Sequence, residues 1–199
     1  MTTFFLIRHA SCDGLGQTLW GRTPGVCLNE EGRLEAQQLA ERFEGMKFDA
    51  IYSSPLERAL ETAEAIARRM KLEVTKSDAL NEIDFGEWSG KTFEQLDSDG
   101  RWRHFNTCRS TASVPGGESF LEVQNRVVKE IDRLAQEHRE EHVAIVSHAD
   151  VIRAAIAYFS ETPIELIQQA EISPCSIHRL HRFSNEDHVF RSDNQLVVG

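Results

Sequence analysis

The 199-residue chain reads as an α/β sandwich, and three observations predict it. Two nearly unbroken apolar runs, residues 4–7 ("FFLI") and 143–146 ("VAIV"), fit strands buried on both faces. Strand-like and amphipathic helical segments alternate along the whole chain, and no repeat, linker or low-complexity stretch interrupts them. Both apolar runs end in polar pairs, Arg8-His9 and Ser147-His148. Open parallel sheets bind ligands beyond the carboxyl ends of such strands.

The elements follow in order. After the first strand, "SCDGLGQTLWGRTPGVCLN" is long for a connection within a compact domain, which marks it as a functional loop. Asn29 caps a helix over 30–43, with Leu34, Leu39 and Phe43 on its apolar face. "FDAIYSS" returns to strand character, and Ser54-Pro55 opens a helix carrying Ala59, Leu60, Ala63 and Ile66. If that strand runs parallel to the first, Arg58 in the helix's first turn rises from the same edge as Arg8 and His9. "LEVTK" is a short strand before a loop in which Glu82, Asp84 and Glu87 crowd beside Phe85 and Trp88. Helical pieces are expected near 92–96 and 102–106, and "SVPGGES" turns into a helix over 120–138 striped by Val123, Val127, Ile131 and Leu134. The strand at 143–146 leads into a helix with Val151, Ile152, Ala155 and Ile156, and "SIHRLHRF" and "HVFRSDNQLVV" read as two terminal strands. One domain, 1–199, is expected.

A formal charge of −10 argues against a general nucleic-acid or anionic-membrane binder, so a phosphate site has to be assembled from a few convergent cations. Cys12, Cys27, Cys108 and Cys175 form neither a CxxC pair nor a disulfide framework, which suits a reducing compartment. The first apolar run is too short for a signal peptide, and no run approaches the roughly 18 residues that span a bilayer. A cytoplasmic protein is expected, of unspecified oligomeric state.

His9 and His148 at two strand ends, with Arg8 and Arg58 at the same edge, suit phosphoryl transfer through histidine. One imidazole attacks phosphorus while the guanidinium forks and the second imidazole hold its oxygens. A carboxylic acid must protonate the leaving alkoxide, and Glu82 is the best-placed candidate, with Asp84 and Glu87 behind it.

"LIRHA", "YSSPLERALETAEAI", "LNEIDFGEWSG" and "VSHADVIRA", in that order, resemble the histidine phosphatase superfamily, branch 1, also called phosphoglycerate mutase-like. The resemblance covers nearly the whole chain. It implies a three-layer α/β/α sandwich with a mostly parallel sheet, His9 as the phosphoryl-carrying nucleophile, Arg8, Arg58 and His148 around the phosphate, Glu82 as proton donor, and no metal or organic cofactor. Two departures stand out: Ala10 where the family usually has glycine, and Ser11-Cys12-Asp13 in place of its usual acid-then-hydroxyl pattern. A methyl at position 10 is tolerated if the backbone there does not need positive φ.

Rival chemistries are weaker. Neither His9 nor His148 lies in an HExxH motif, and the arginines would repel a zinc ion. Cys27 and Arg33 have the C-x5-R spacing of cysteine phosphatases, but Glu30 and Glu31 stand where a phosphate cradle wants neutral N–H donors. A non-enzymatic binding module would explain the altered residues after His9, but all five chemical positions are present. The short stretch between Trp88 and Gly116 favours small phosphatases over phosphoglycerate mutases, which carry an insertion there, so hydrolysis of small phosphorylated metabolites is expected, with α-ribazole phosphatase the leading special case. Trp20 and Arg22 are candidate substrate-binding residues, and Phe85, Trp88 and Trp102 candidates for the cleft mouth.

Overall fold

The computed structural model describes residues 1–167 and 170–183, and the backbone of 188–192. Its elements are β1 (Thr2–Arg8), α1 (Glu30–Arg42), β2 (Ala50–Ser53), α2 (Glu57–Met70), β3 (Val74–Lys76), α3 (Phe93–Asp97), α4 (Gly100–Thr107), α5 (Phe120–Glu137), β4 (His142–Ser147), α6 (Ala149–Phe159), β5 (Ile177–Arg182) and β6 (His188–Ser192). The sheet order is β3-β2-β4-β1-β5-β6. The first four are mutually parallel, while at the far edge β5 pairs antiparallel with β1 and β6 antiparallel with β5. The part of the expected last strand beyond Ser192 lies outside the described residues.

Alternation along β1 divides the core. Phe5 and Ile7 pack with Ala36, Leu39 and Phe43 of the α1 region and with Ala59, Ala63 and Ile66 of α2. Phe4 and Leu6 pack on the opposite face with Val123, Val127, Ile131 and Leu134 of α5 and with Val151 and Ile152 of α6. The result is the three-layer α/β/α sandwich with a mixed, mostly parallel sheet. Each of the four α5 residues is at most 3% exposed, and burying such a side chain contributes roughly 1.5–3 kcal/mol.

Local chemistry sets the helix starts. Asn29 caps α1 by accepting from the Gly32 N–H at 2.8 Å, and Ser119 and Glu122 form a capping box on α5. Leu34 departs from expectation at 59% exposed. The buried face of α1 is formed by Gly32, Ala36, Leu39 and Ala40, which leaves Leu34 on the solvent side. Phe85, Trp88 and Trp102 also depart, for they do not line a cleft mouth. They interlock with Phe105 in an aromatic cluster at centroid separations of 5.4–6.3 Å and are at most 8% exposed.

Gly32 also fixes the loop after His9. A Cβ there would lie 1.9 Å from the Ser11 carbonyl oxygen. Gly32→Ala is therefore expected to destabilise the protein by roughly 1–3 kcal/mol, the usual cost of overpacking, with a lower denaturant midpoint and an unchanged m-value.

Candidate active site

Parallel pairing of β1, β4 and β2 brings the carboxyl ends of three strands to one edge. Arg8 and Ser147 are register partners there, so His9 and His148 leave adjacent strands side by side, with ring centroids 5.1 Å apart. Arg58 arrives from the first turn of α2, as the parallel arrangement predicted, and is 3% exposed. The sheet edge thus collects all four.

The His9 backbone N–H donates to the Ser147 carbonyl at 3.0 Å. Its Nδ1–H donates to the Ala10 carbonyl at 2.7 Å, leaving Nε2 as the lone-pair nitrogen. Ala10 is itself pinned to α2: its N–H donates to Thr62 Oγ1, whose hydroxyl donates to the Arg58 carbonyl. Among the described residues Ala10 is not one of the positive-φ positions, and its methyl is buried in the core between the sheet and α1 and α2. Alanine therefore fits there without strain. The altered Ser11 is held by Glu35, which accepts from its N–H and hydroxyl at 2.7 and 3.0 Å.

His148 is fully buried, and its Nε2 lies 2.9 Å from Ser54 Oγ. The Ser54 hydroxyl donates to Asn81 Oδ1 at 3.0 Å, so it accepts from His148 Nε2–H and leaves Nδ1 turned elsewhere. The sequence marks Ser54 only as a helix start and does not mark Asn81. Arg58 Nη2 donates to the Gly21 carbonyl and Arg8 Nη1 to the Ile172 carbonyl, at 2.8 and 2.6 Å. Three buried atoms, Arg8 Nε, Arg58 Nη1 and His148 Nδ1, have no hydrogen-bond partner among the described residues. Leaving the two guanidinium donors unsatisfied is costly, which makes them a receptor for an acceptor-rich anion, while Nδ1 of the neutral His148 carries a lone pair beside them.

Burial first, then the Arg58 charge, holds both imidazoles well below the ordinary histidine pKa of 6.5, with Arg8 adding to the effect on each. Both are neutral at pH 7. The Glu82 carboxyl is pushed up to about 7, first by burial and next by the Asp150 charge, against the pull of the Ile83 N–H, Arg58 and Arg8. Asp150 stays ionised because Arg109 and Arg153, donating at 2.8 and 3.1 Å, outweigh its own burial. Arg109 is 6% exposed and lies over the Phe105 ring, a placement that its position in a loop concealed from sequence reasoning.

The other nominated residues sit differently. Glu87 is exposed and faces Arg101 at 3.7 Å, and the Asp84 carboxylate accepts from the Gly86 N–H. The Arg22 guanidinium donates to the Glu82 carbonyl at 2.8 Å and to Glu118 at 2.7 Å, while Trp20 Nε1 donates to the Asp13 carbonyl. Cys27 is exposed beside the α1 cap. Among the described residues no three His, Cys, Asp or Glu side chains are grouped to hold a metal ion, and no helix is long and apolar enough to cross a membrane.

The chain is similar in sequence and fold to known proteins. The chain is 35% identical over 164 residues to phosphoserine phosphatase 1 of Hydrogenobacter thermophilus, covering 77% of this chain and 74% of that one. It is 32% identical over 182 residues to a 2,3-bisphosphoglycerate-dependent phosphoglycerate mutase of Bartonella bacilliformis, covering 86% and 87%. The solved structure of Bacillus stearothermophilus YhfR superposes with a TM-score of 0.90 at 28% identity, over 98% of both chains. The family model of the histidine phosphatase superfamily (branch 1) matches residues 4–195, and the chain belongs to that family.

Proposed function

We propose that this protein hydrolyses small phosphorylated metabolites by way of a phosphohistidine at His9. The observation that carries the reading is a group of three buried atoms without a hydrogen-bond partner among the described residues, Arg8 Nε, Arg58 Nη1 and His148 Nδ1, at the sheet edge where a neutral His9 exposes Nε2. The two guanidiniums hold two phosphoryl oxygens. His148 takes up a proton at Nδ1 as the dianion enters and becomes a third donor.

In the first half-reaction His9 Nε2 donates its electron pair to phosphorus as the ester P–O bond breaks. The Glu82 carboxyl gives its proton to the departing alkoxide, which leaves as the alcohol. In the second, water attacks phosphorus and passes a proton to the Glu82 carboxylate while the N–P bond breaks. Inorganic phosphate leaves, and the His9 lone pair and the Glu82 proton are both restored.

A mutase runs the same first step but returns the phosphoryl group to a hydroxyl, and the similarity to a phosphoglycerate mutase favours this as the second reading. A panel of phosphorylated sugars, amino acids, glycerates and alcohols, assayed both for phosphate release and for isomerised product, tests the two together. Phosphate release outpacing isomerisation on every active substrate is expected. Isomerisation dominating with glycerate phosphates would favour the mutase, and no turnover across the panel by the folded protein would remove the enzymatic reading.

The raised Glu82 pKa gives a pH dependence with a definite sign. The proton donor is present below about pH 7 and lost above it, while the depressed His9 pKa keeps the nucleophile free well below 6.5. Phosphoenzyme formation from an alkyl phosphate is expected to decline above pH 7, approaching about tenfold per unit, and to stay nearly flat with p-nitrophenyl phosphate, whose leaving group needs no acid. Rapid-quench rates between pH 6 and 9 check this.

A further inference from the structure

Glu82 sits in a segment without regular structure, between short 3₁₀ turns at Asp78–Leu80 and Gly86–Trp88. A proton donor on such a segment needs outside support, because a displacement of about 1 Å is enough to cost a hundredfold in rate. The support is dense and polar. Arg126, from the second turn of α5, donates through Nη1 to the Ala79 carbonyl at 2.7 Å and through Nη2 to the Glu82 carbonyl at 3.1 Å. One side chain thereby ties the Glu82 backbone to the turn that precedes it. Arg22, from the loop after β1, donates to the same Glu82 carbonyl.

Glu118 joins the two arginines. Its carboxylate receives Arg126 through Nε and Nη2 at 3.0 and 3.1 Å, Arg22 Nη2 at 2.7 Å, and the Asp84 N–H at 3.1 Å. Glu118 is in turn locked to the segment through its own N–H, which donates to the Asp84 carbonyl at 2.8 Å. Two glycines permit this approach. A Cβ on Gly117 would lie 2.0 Å from the Asp84 carbonyl oxygen, and one on Gly86 would lie 2.2 Å from that of Pro115.

We propose that Arg126, Glu118 and Arg22 form a brace whose role is to position the Glu82 carboxyl for proton transfer to the leaving group. Arg126 and Glu118 act as positioning residues and touch no reacting atom, and Arg22 belongs to the same brace. The proposal rests on the reading of Glu82 as the proton donor. It predicts a defect confined to substrates that need an acid. A loss of general stability would slow all substrates alike.

The test is single-turnover phosphoenzyme formation with glycerol 2-phosphate and with p-nitrophenyl phosphate, for wild type, Arg126→Met, Glu82→Gln and the double variant. Arg126→Met is expected to slow the alkyl phosphate about ten- to a hundredfold and the nitrophenyl ester less than about threefold. In the Glu82→Gln background it should add little, because the two changes remove one function. Glu118→Ala serves in its place should Arg126→Met fail to fold. If Glu82→Gln slows both esters equally, the proton-donor reading fails. If Glu82→Gln is selective but the brace variant slows both esters alike or neither, or if the two losses multiply in the double variant, the brace proposal fails on its own.

Discussion

His9→Ala is expected to lower kcat/KM on every phosphomonoester by at least about four orders of magnitude, the scale seen when a covalent nucleophile is removed. Its Nε2 is the nitrogen left free by the bond to the Ala10 carbonyl, and its depressed pKa keeps it unprotonated at neutral pH. The two arginines and His148 remain in the variant, so phosphate binding is expected to persist while turnover is lost. Folding is also expected to survive, and less acid-sensitively. A buried histidine with a native pKa below 6.5 leaves the unfolded chain binding more protons, so its stability contribution is lost as pH falls below 6.5, and alanine removes that loss. Retained turnover in His9→Ala, with the fold intact by circular dichroism, would displace His9 from the chemistry.

Glu82→Gln is expected to slow phosphoryl transfer from alkyl or sugar phosphates by about 10²- to 10⁴-fold, and far less from p-nitrophenyl phosphate. An amide keeps the shape of the carboxyl but cannot give up the proton. The first half-reaction has to be observed directly, since in the proposed mechanism Glu82 also accepts the proton of water in the second and steady-state rates mix the two. The substitution carries a stability signature of the opposite sign. A carboxyl raised from 4.5 to about 7 in the folded state binds more protons there than in the unfolded chain, so stability falls as pH rises between those values. Glu82→Gln is therefore expected to raise Tm at pH 8 relative to wild type, with little effect at pH 4. Equal slowing of both ester types would remove Glu82 as the acid, and a selective loss in Asp84→Asn or Glu87→Gln would transfer the role to that residue.

The fold was legible wherever burial governs residue choice. "FFLI" and "VAIV" are apolar at every position because helices cover both faces of β1 and β4, and the α5 stripe repeats because one side of that helix meets the sheet. The placement of the candidate-site residues was legible for a related reason: a histidine directly after a fully buried strand has only the sheet edge to occupy. Aromatic residues were harder, since Trp88 is as apolar in a core as at a cleft mouth, and only packing against Trp102 and Phe105 distinguishes the two. Arg126 was hidden because a half-buried arginine on an amphipathic helix has the same periodicity as a solvated one. Glu118 was read as part of a turn, and its partners lie 8 and 96 residues away. Ser54 and Asn81 were hidden likewise, for their link to His148 spans 94 residues of sequence. Such polar pairings depend on tertiary proximity, for which a single sequence has no period.

The central claim is covalent passage of the phosphoryl group through His9. The most direct measurement is rapid quenching into alkali after mixing with phosphoryl-labelled substrate, followed by mapping of the label and chromatographic separation of the two phosphohistidine isomers. The geometry predicts a base-stable, acid-labile label on His9, attached at Nε2 because Nδ1 is held by the Ala10 carbonyl, and no label in His9→Ala. Label retained by that variant, label on another residue, or turnover with no labelled intermediate at the shortest quench times would contradict it.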